Sequence, residues 1–222
     1  MVFVMGNDGY ADWLLALAAG LAGLILSPIT ELLIAKLIPR VGGLPAFSQR
    51  ITTAGLTAFL CAAFSLRFEL TFVLLAFLFL AVLGVQLARI DMTLHLLPNP
   101  LVFALLAGGL VLFLPPGLLD KQADNLLRAA LGALILFAGY LILGLISPGG
   151  IGMGDVKLAA PVGLYLGYLG WSQLLYGGLL GFILNGLFTV VIISRKGRDK
   201  ATEVPHGPSM LLATSVVTLF LL

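Results

Sequence analysis

The chain has 222 residues, 60% of them hydrophobic and only 10% charged, with a formal net charge of +2. Soluble domains carry about 25% charged residues, and no soluble core of this size could bury so much apolar side chain. The composition excludes a water-soluble globule and implies a polytopic all-α protein in lipid, where only helices or closed barrels satisfy their own backbone.

The first apolar run, Trp13 to Ile38, reads as a retained helix, because no Lys or Arg precedes Lys36 and Asp8 and Asp12 do. The second runs from Ile51 to Leu66, the third from Leu70 to Ile90 and the fourth from Leu101 to Leu114. Pro115 to Asn125, opening Pro-Pro-Gly, reads as a loop. Then come Ala129 to Ile146, Val156 to Leu169, Trp171 to Ile193 and Ser209 to Leu222. These make about eight spans in a single domain over residues 1–222, with the fourth, sixth and eighth short for a bilayer. With the N-terminus outside, nine of the twelve cations fall on the inner side; Arg67, Lys121 and Arg128 fall on the outer. The positive-inside rule therefore favours that orientation and makes Arg195 to Pro208 an inner loop. Gly163 with Gly167, and Gly177 with Gly181, suit close helix packing. The single cysteine, Cys61, lies in an apolar run as a packing residue, and no His/Cys cluster suggests a metal.

Few acids touch the apolar runs. Glu31 lies within the first and is expected to pair with a cation or to face water. Asn185, deep in the seventh, is expected to bond across helices. His95 and His206 read as solvated or capping residues of the inner loops. Asp91 closes the third span and Asp155 opens the sixth, both on the inner side. Two carboxylates at one depth cannot both ionise at close range, so they share a proton. The charged member can then take a proton from water while the neutral one polarises a carbonyl. Gly149, Gly150, Gly152 and Gly154 precede Asp155 and leave room for an extended strand; the plainer alternative is a turn with Asp155 capping the next helix. Lys157 reads as a headgroup anchor, and Pro98 with Asn99 as a turn that starts the fourth helix and fixes Asp91.

Gly152-Met153-Gly154-Asp155-Val156-Lys157-Leu158 resembles the Gly-x-Gly-Asp-x-Lys-Leu signature of the type IV prepilin peptidases. Asp91, then six residues, then Pro98-Asn99, is similar to the family's first motif; Pro205-His206-Gly207-Pro208 is similar to its Pro-Phe-Gly-Pro element, with His206 for Phe. The resemblance implies a GxGD-type intramembrane aspartic endopeptidase needing no cofactor or metal, with Asp91 and Asp155 catalytic and Gly152, Gly154, Lys157 and Pro98 around the substrate cleft. It implies a prokaryotic cytoplasmic (inner) membrane protein serving a type IV pilus or protein secretion. Its partner would be a prepilin or pilin-like precursor, cut on the cytoplasmic side between a basic leader and a hydrophobic helix. Many relatives carry two Cys-x-x-Cys pairs in a long loop after the first span and also methylate the new N-terminus. Here the loop is only Pro39 to Arg50 without cysteine, so the chain resembles the short, peptidase-only members. Presenilin-type proteases share Gly-x-Gly-Asp, but no Pro-Ala-Leu stands near this C-terminus. The rival reading is an ion-coupled transporter using the membrane aspartates; a non-catalytic scaffold is a third.

Overall fold

The computed structural model describes residues 9–119, 123–147, 150–196 and 204–221. Asp8, Asp120, Lys121, Gly149, Arg198, Lys200 and Leu222 lie outside the described residues, as do the side chains of Arg195 and Lys196. The helices are α1 (Gly9–Leu37), α2 (Phe47–Ser65), α3 (Phe72–Leu94), α4 (Asn99–Leu119), α5 (Ala123–Ile146), α6 (Met153–Leu169), α7 (Trp171–Lys196) and α8 (Gly207–Phe220), with a 3-10 turn at Pro39–Val41. No strand occurs among the described residues. The chain is a polytopic helical membrane protein, as its composition implied. Five helices (α1, α3, α4, α5 and α7) are long and apolar enough to cross a membrane, and α8 is a shorter apolar helix. The 17-residue α6 is also below the usual span length.

The eight runs correspond to the eight helices, with one correction. Pro115 and Pro116 do not open a loop; α4 continues through them to Leu119. Proline removes a backbone donor and crowds the preceding turn, yet here packing outweighs that cost. Pro116 and Gly117 are buried, and a Cβ on Gly117 would meet Leu126 of α5 at 3.0 Å. Pro28 and Pro161 likewise lie inside α1 and α6.

Burial sorts the bundle. Two thirds (67%) of the best α3 window is buried, against 17% in α5 and 11% in α7, so α3 is central and the other two present their faces to lipid. An aromatic cluster joins the centre. Phe77 of α3 packs edge-on against Phe113 of α4 and Tyr165 of α6, with centroids 6.2 and 5.5 Å apart, and Phe113 stacks on Tyr168 at 4.0 Å. At one end, Arg128 of α5 donates to the carbonyls of Gly167 and Tyr168 at 2.8 and 2.9 Å. A cation there closes α6 where its dipole is negative.

Buried polar groups are mostly paired. Glu31 of α1, 1% exposed, binds Arg50 Nε at 3.1 Å and accepts from the Thr53 hydroxyl at 2.6 Å. Gln86 of α3 donates to Ser27 Oγ at 3.2 Å and accepts from Arg89 Nε at 3.1 Å. Glu31 thus has the cation partner expected of it, from α2. Asn185 differs from expectation: its Oδ1 is buried without a hydrogen-bond partner among the described residues.

The glycine pattern works at α5–α6. A Cβ on Gly163 would collide with the Gly132 carbonyl, and one on Gly132 would lie 2.5 Å from the Gly163 carbonyl. Gly177 packs against Leu166, whereas Gly181 has ordinary room. Backbone cannot yield as a side chain can, so Gly163→Val should destabilise the fold by about 3 kcal/mol or more. The check is a lower midpoint of thermal unfolding in micelles, with Gly181→Ala as the mild control.

Candidate active site

α3 reaches its last turn at Asp91 and stops at His95, whose left-handed backbone (φ 48°) lets its N–H close on the Asp91 carbonyl at 2.9 Å. The chain then reverses through Leu96 to Pro98. The Pro98 carbonyl accepts from Leu101 and Val102 at 3.0 and 3.1 Å, which starts α4. Pro98 is a buried turn residue ahead of α4, as its turn reading expected, but it does not line the cleft around which the resemblance placed it.

Gly152 is the N-cap of α6, and Asp155 is the third residue of that helix. The Asp155 carboxylate reaches back to the Gly152 N–H, in the manner of a capping box. The helix-capping role is therefore real, and it coexists with a place on the cleft. Gly154 lets α6 approach the α3–α4 turn, since a Cβ there would meet Leu97 at 3.1 Å. Lys157 is exposed, and its Nζ donates to Asn99 Oδ1 at 3.0 Å, linking the starts of α6 and α4.

Asp91 and Asp155, from helices 64 positions apart in sequence, line one cleft of about 310 Å³ with Gly152, Gly154, Asn99 and Lys157. Asp91 is 5% exposed, and Asp155 is half-buried. α8 supplies the third side. Its first residue, Gly207, directs its backbone N–H at both carboxylates. A Cβ on Gly207 would lie 2.6 Å from Asp91 Oδ2, so only glycine fits there. A helix N-terminus favours negative charge, which suits one ionised member of the pair. Asp91 Oδ2 has no hydrogen-bond partner of its own among the described residues. A proton on this buried oxygen would remove the cost of leaving its charge unpaired.

His206 corrects its sequence reading. It is 8% exposed, not solvated, and makes no side-chain cap. Its Nε2 lies 2.8 Å from the Tyr140 hydroxyl of α5, and its ring leans on Tyr140 and Phe182 at centroid distances of 5.5 and 5.1 Å. Sequence gave no signal for Tyr140, one aromatic in an apolar run. His95 remains exposed at the mouth of the cleft. Among the described residues, no three His, Cys, Asp or Glu side chains gather as a metal site.

The type IV leader peptidase family profile matches residues 78–193, just over half of the 222. The chain belongs to the type IV leader peptidase family. The matched stretch takes in Asp91, Asp155 and the glycines of the cleft. Among curated relatives of this family member, a prepilin leader peptidase/N-methyltransferase of Xanthomonas campestris pv. campestris is 33% identical over 185 residues, covering 80% of this chain and 61% of that protein. The protein of the same description from Aeromonas hydrophila is 31% identical over 166 residues, 74% of this chain and 56% of its own length. That from Aeromonas salmonicida is 32% identical over 147 residues, 66% and 49% respectively. The chain thus spans about half to three fifths of the relatives it matches. No solved structure matches it significantly.

Burial pushes the His206 imidazole down to about 4 from its ordinary 6.5. Between those values the unfolded chain binds a proton that the folded chain refuses, so stability falls as pH drops through that window. His206→Phe keeps a ring against Tyr140 and Phe182 and removes the proton site. It should narrow the loss of stability between pH 7 and pH 4 by up to about 3 kcal/mol. Unfolding midpoints of both proteins across that range test this.

Proposed function

We propose that this chain is an aspartic endopeptidase that removes the leader of a type IV prepilin or pilin-like precursor. The observation that carries the reading is the pair of carboxylates, Asp91 and Asp155, on one cleft beside a shared backbone donor, Gly207. Membership of the family and the printed descriptions of the relatives support the peptidase class. The concentration of cations at the cleft end of the sequence pattern supports an inward-facing site with the N-terminus outside. A leader held by positive charge on the cytoplasmic side of an inner membrane would meet that site.

In the proposed reaction one carboxyl is protonated and its neighbour ionised. The carboxylate takes a proton from water, and the water oxygen forms a bond to the scissile carbonyl carbon. The carboxylic acid gives its proton to the carbonyl oxygen. The tetrahedral adduct then breaks its C–N bond, the nitrogen leaving with a proton returned by the first carboxyl, while the second recovers its own. The pair regains its shared proton, and its titration belongs to both residues together. The Gly207 amide favours the ionised member throughout. Gly152 and Gly154 leave the rim open to extended backbone, and the Lys157–Asn99 bond steadies that rim. We assign only the peptidase half of the relatives' description, because the loop from 39 to 50 holds no cysteine.

Asp91→Asn and Asp155→Asn should each lower cleavage of a reconstituted precursor by at least about a hundredfold, with insertion into liposomes unchanged. Robust cleavage by either variant would rule the pair out. Gly207→Ala should also cut activity by about tenfold or more, because its methyl group would displace Asp91. The same cleavage assay, with circular dichroism as a control for folding, reads this.

A further inference from the structure

Few bonds hold the start of α8 in place. Among the described residues from 204 to 209, the one side-chain hydrogen bond is that between His206 and the Tyr140 hydroxyl of α5, at 2.8 Å. His206 makes no side-chain cap, and its backbone (φ −86°, ψ −27°) is already helical, where N-cap residues are usually extended. Pro208 offers no N–H, and the Ser209 hydroxyl is buried without a hydrogen-bond partner among the described residues. The His206 carbonyl accepts from the Met210 N–H at 3.2 Å.

The peptide bond between His206 and Gly207 is planar, so the direction of the Gly207 N–H follows from where the His206 backbone is held. That N–H faces Asp91 and Asp155, and a Cβ on Gly207 would come within 2.6 Å of Asp91 Oδ2. A small turn of the peptide plane therefore alters the cleft. Tyr140 and His206 are 3% and 8% exposed, and the imidazole also rests on Phe182 of α7. Tyr140 belongs to the helix set closely on α6 through Gly132 and Gly163, and α6 carries Asp155. The contact thus runs from the helix beside Asp155 to the amide that both acids share.

We propose that Tyr140 and His206 are positioning residues: their hydrogen bond fixes the His206 backbone and so aims the Gly207 amide at Asp91 and Asp155. The proposal rests on the peptidase reading and adds to it the pair that sets the backbone donor of the two acids. His206 stands where the similar family element has Phe, so the bond is a feature of this chain rather than of that element. The other ring nitrogen, Nδ1, is buried without a hydrogen-bond partner among the described residues. Removing the Tyr140 hydroxyl would strand both nitrogens, and the ring would leave its place to reach water, turning the Gly207 peptide with it. Replacing both polar partners by apolar rings costs far less, because no buried polar group is then left unmatched.

Cleavage of reconstituted precursor by Tyr140→Phe should fall at least about tenfold in kcat, with KM little changed. Adding His206→Phe to that protein should restore kcat to within about threefold of wild type. His206→Ala, which removes the anchor altogether, should lose about as much as Tyr140→Phe. The amide itself is read by nuclear magnetic resonance in micelles. Of the two histidines only His206 precedes a glycine, so isotopic labels on the histidine carbonyl carbon and the glycine nitrogen single out Gly207. Its amide proton should move upfield in either single variant and return in the double variant. A merely structural role would lower the folded fraction without moving the resonance of the molecules that stay folded. An unmoved Gly207 resonance in whichever single variant folds, or a double variant no more active than Tyr140→Phe, would overturn the proposal. Failure of the wild-type enzyme to cut the precursor, with the resonance moving as expected, would instead remove the peptidase reading.

Discussion

The structure depends on a difficult juxtaposition, two acidic side chains on one cleft of an apolar bundle. Carboxylates at such depth are costly unless something answers their charge. Here the answer is the start of α8. Its first amide, on Gly207, serves both acids, and Gly152 at the start of α6 serves Asp155. Backbone donors at helix starts have no partners inside their own helices. The bundle thus satisfies two sets of unmet needs with one arrangement, and leaves Asp91 Oδ2 buried without a hydrogen-bond partner among the described residues.

That arrangement constrains the helices around it. α3, α6 and α8 must bring specific turns to one point, so they form the buried centre, while α5 and α7 remain largely lipid-facing. Small residues make the approach possible: Gly132 against Gly163 sets α5 on α6, and Gly207 sets α8 on Asp91. Polar contacts fix the outer helices to that centre. The Glu31–Arg50–Thr53 group joins α1 to α2, and Gln86 ties α3 to Ser27 of α1. Tyr140 and His206 do the same for α5 and the start of α8. In lipid, where apolar contact alone distinguishes poorly between neighbours, such bonds specify register.

The cleft carries Asn99, Lys157 and two aspartates, while the lining of a second groove, along α3, holds Ser215 as its one polar side chain among the described residues. Both linings draw on α3. A rigid α3 can serve both, since successive turns present Gly84, Ala88 and Met92 to the groove and Asp91 to the cleft.

Composition and hydropathy alone determined the helical membrane class and the places of the helices, because a chain made mostly of apolar runs satisfies its backbone in lipid only as helices or a closed barrel. The spacing of Asp91 to Pro98 and the Gly152–Asp155 motif also marked the two acids and their turns, since local backbone geometry depends on nearby residues. Other features were decided only by packing. The course of α4 through Pro115 and Pro116, against their local preference, required the contact of Gly117 with Leu126. The partner of Glu31, the burial of His206 against Tyr140, and the bond from Lys157 to Asn99 join residues 19, 66 and 58 positions apart. No local rule reaches so far, because which side chains meet across helices is set by how whole faces fit together.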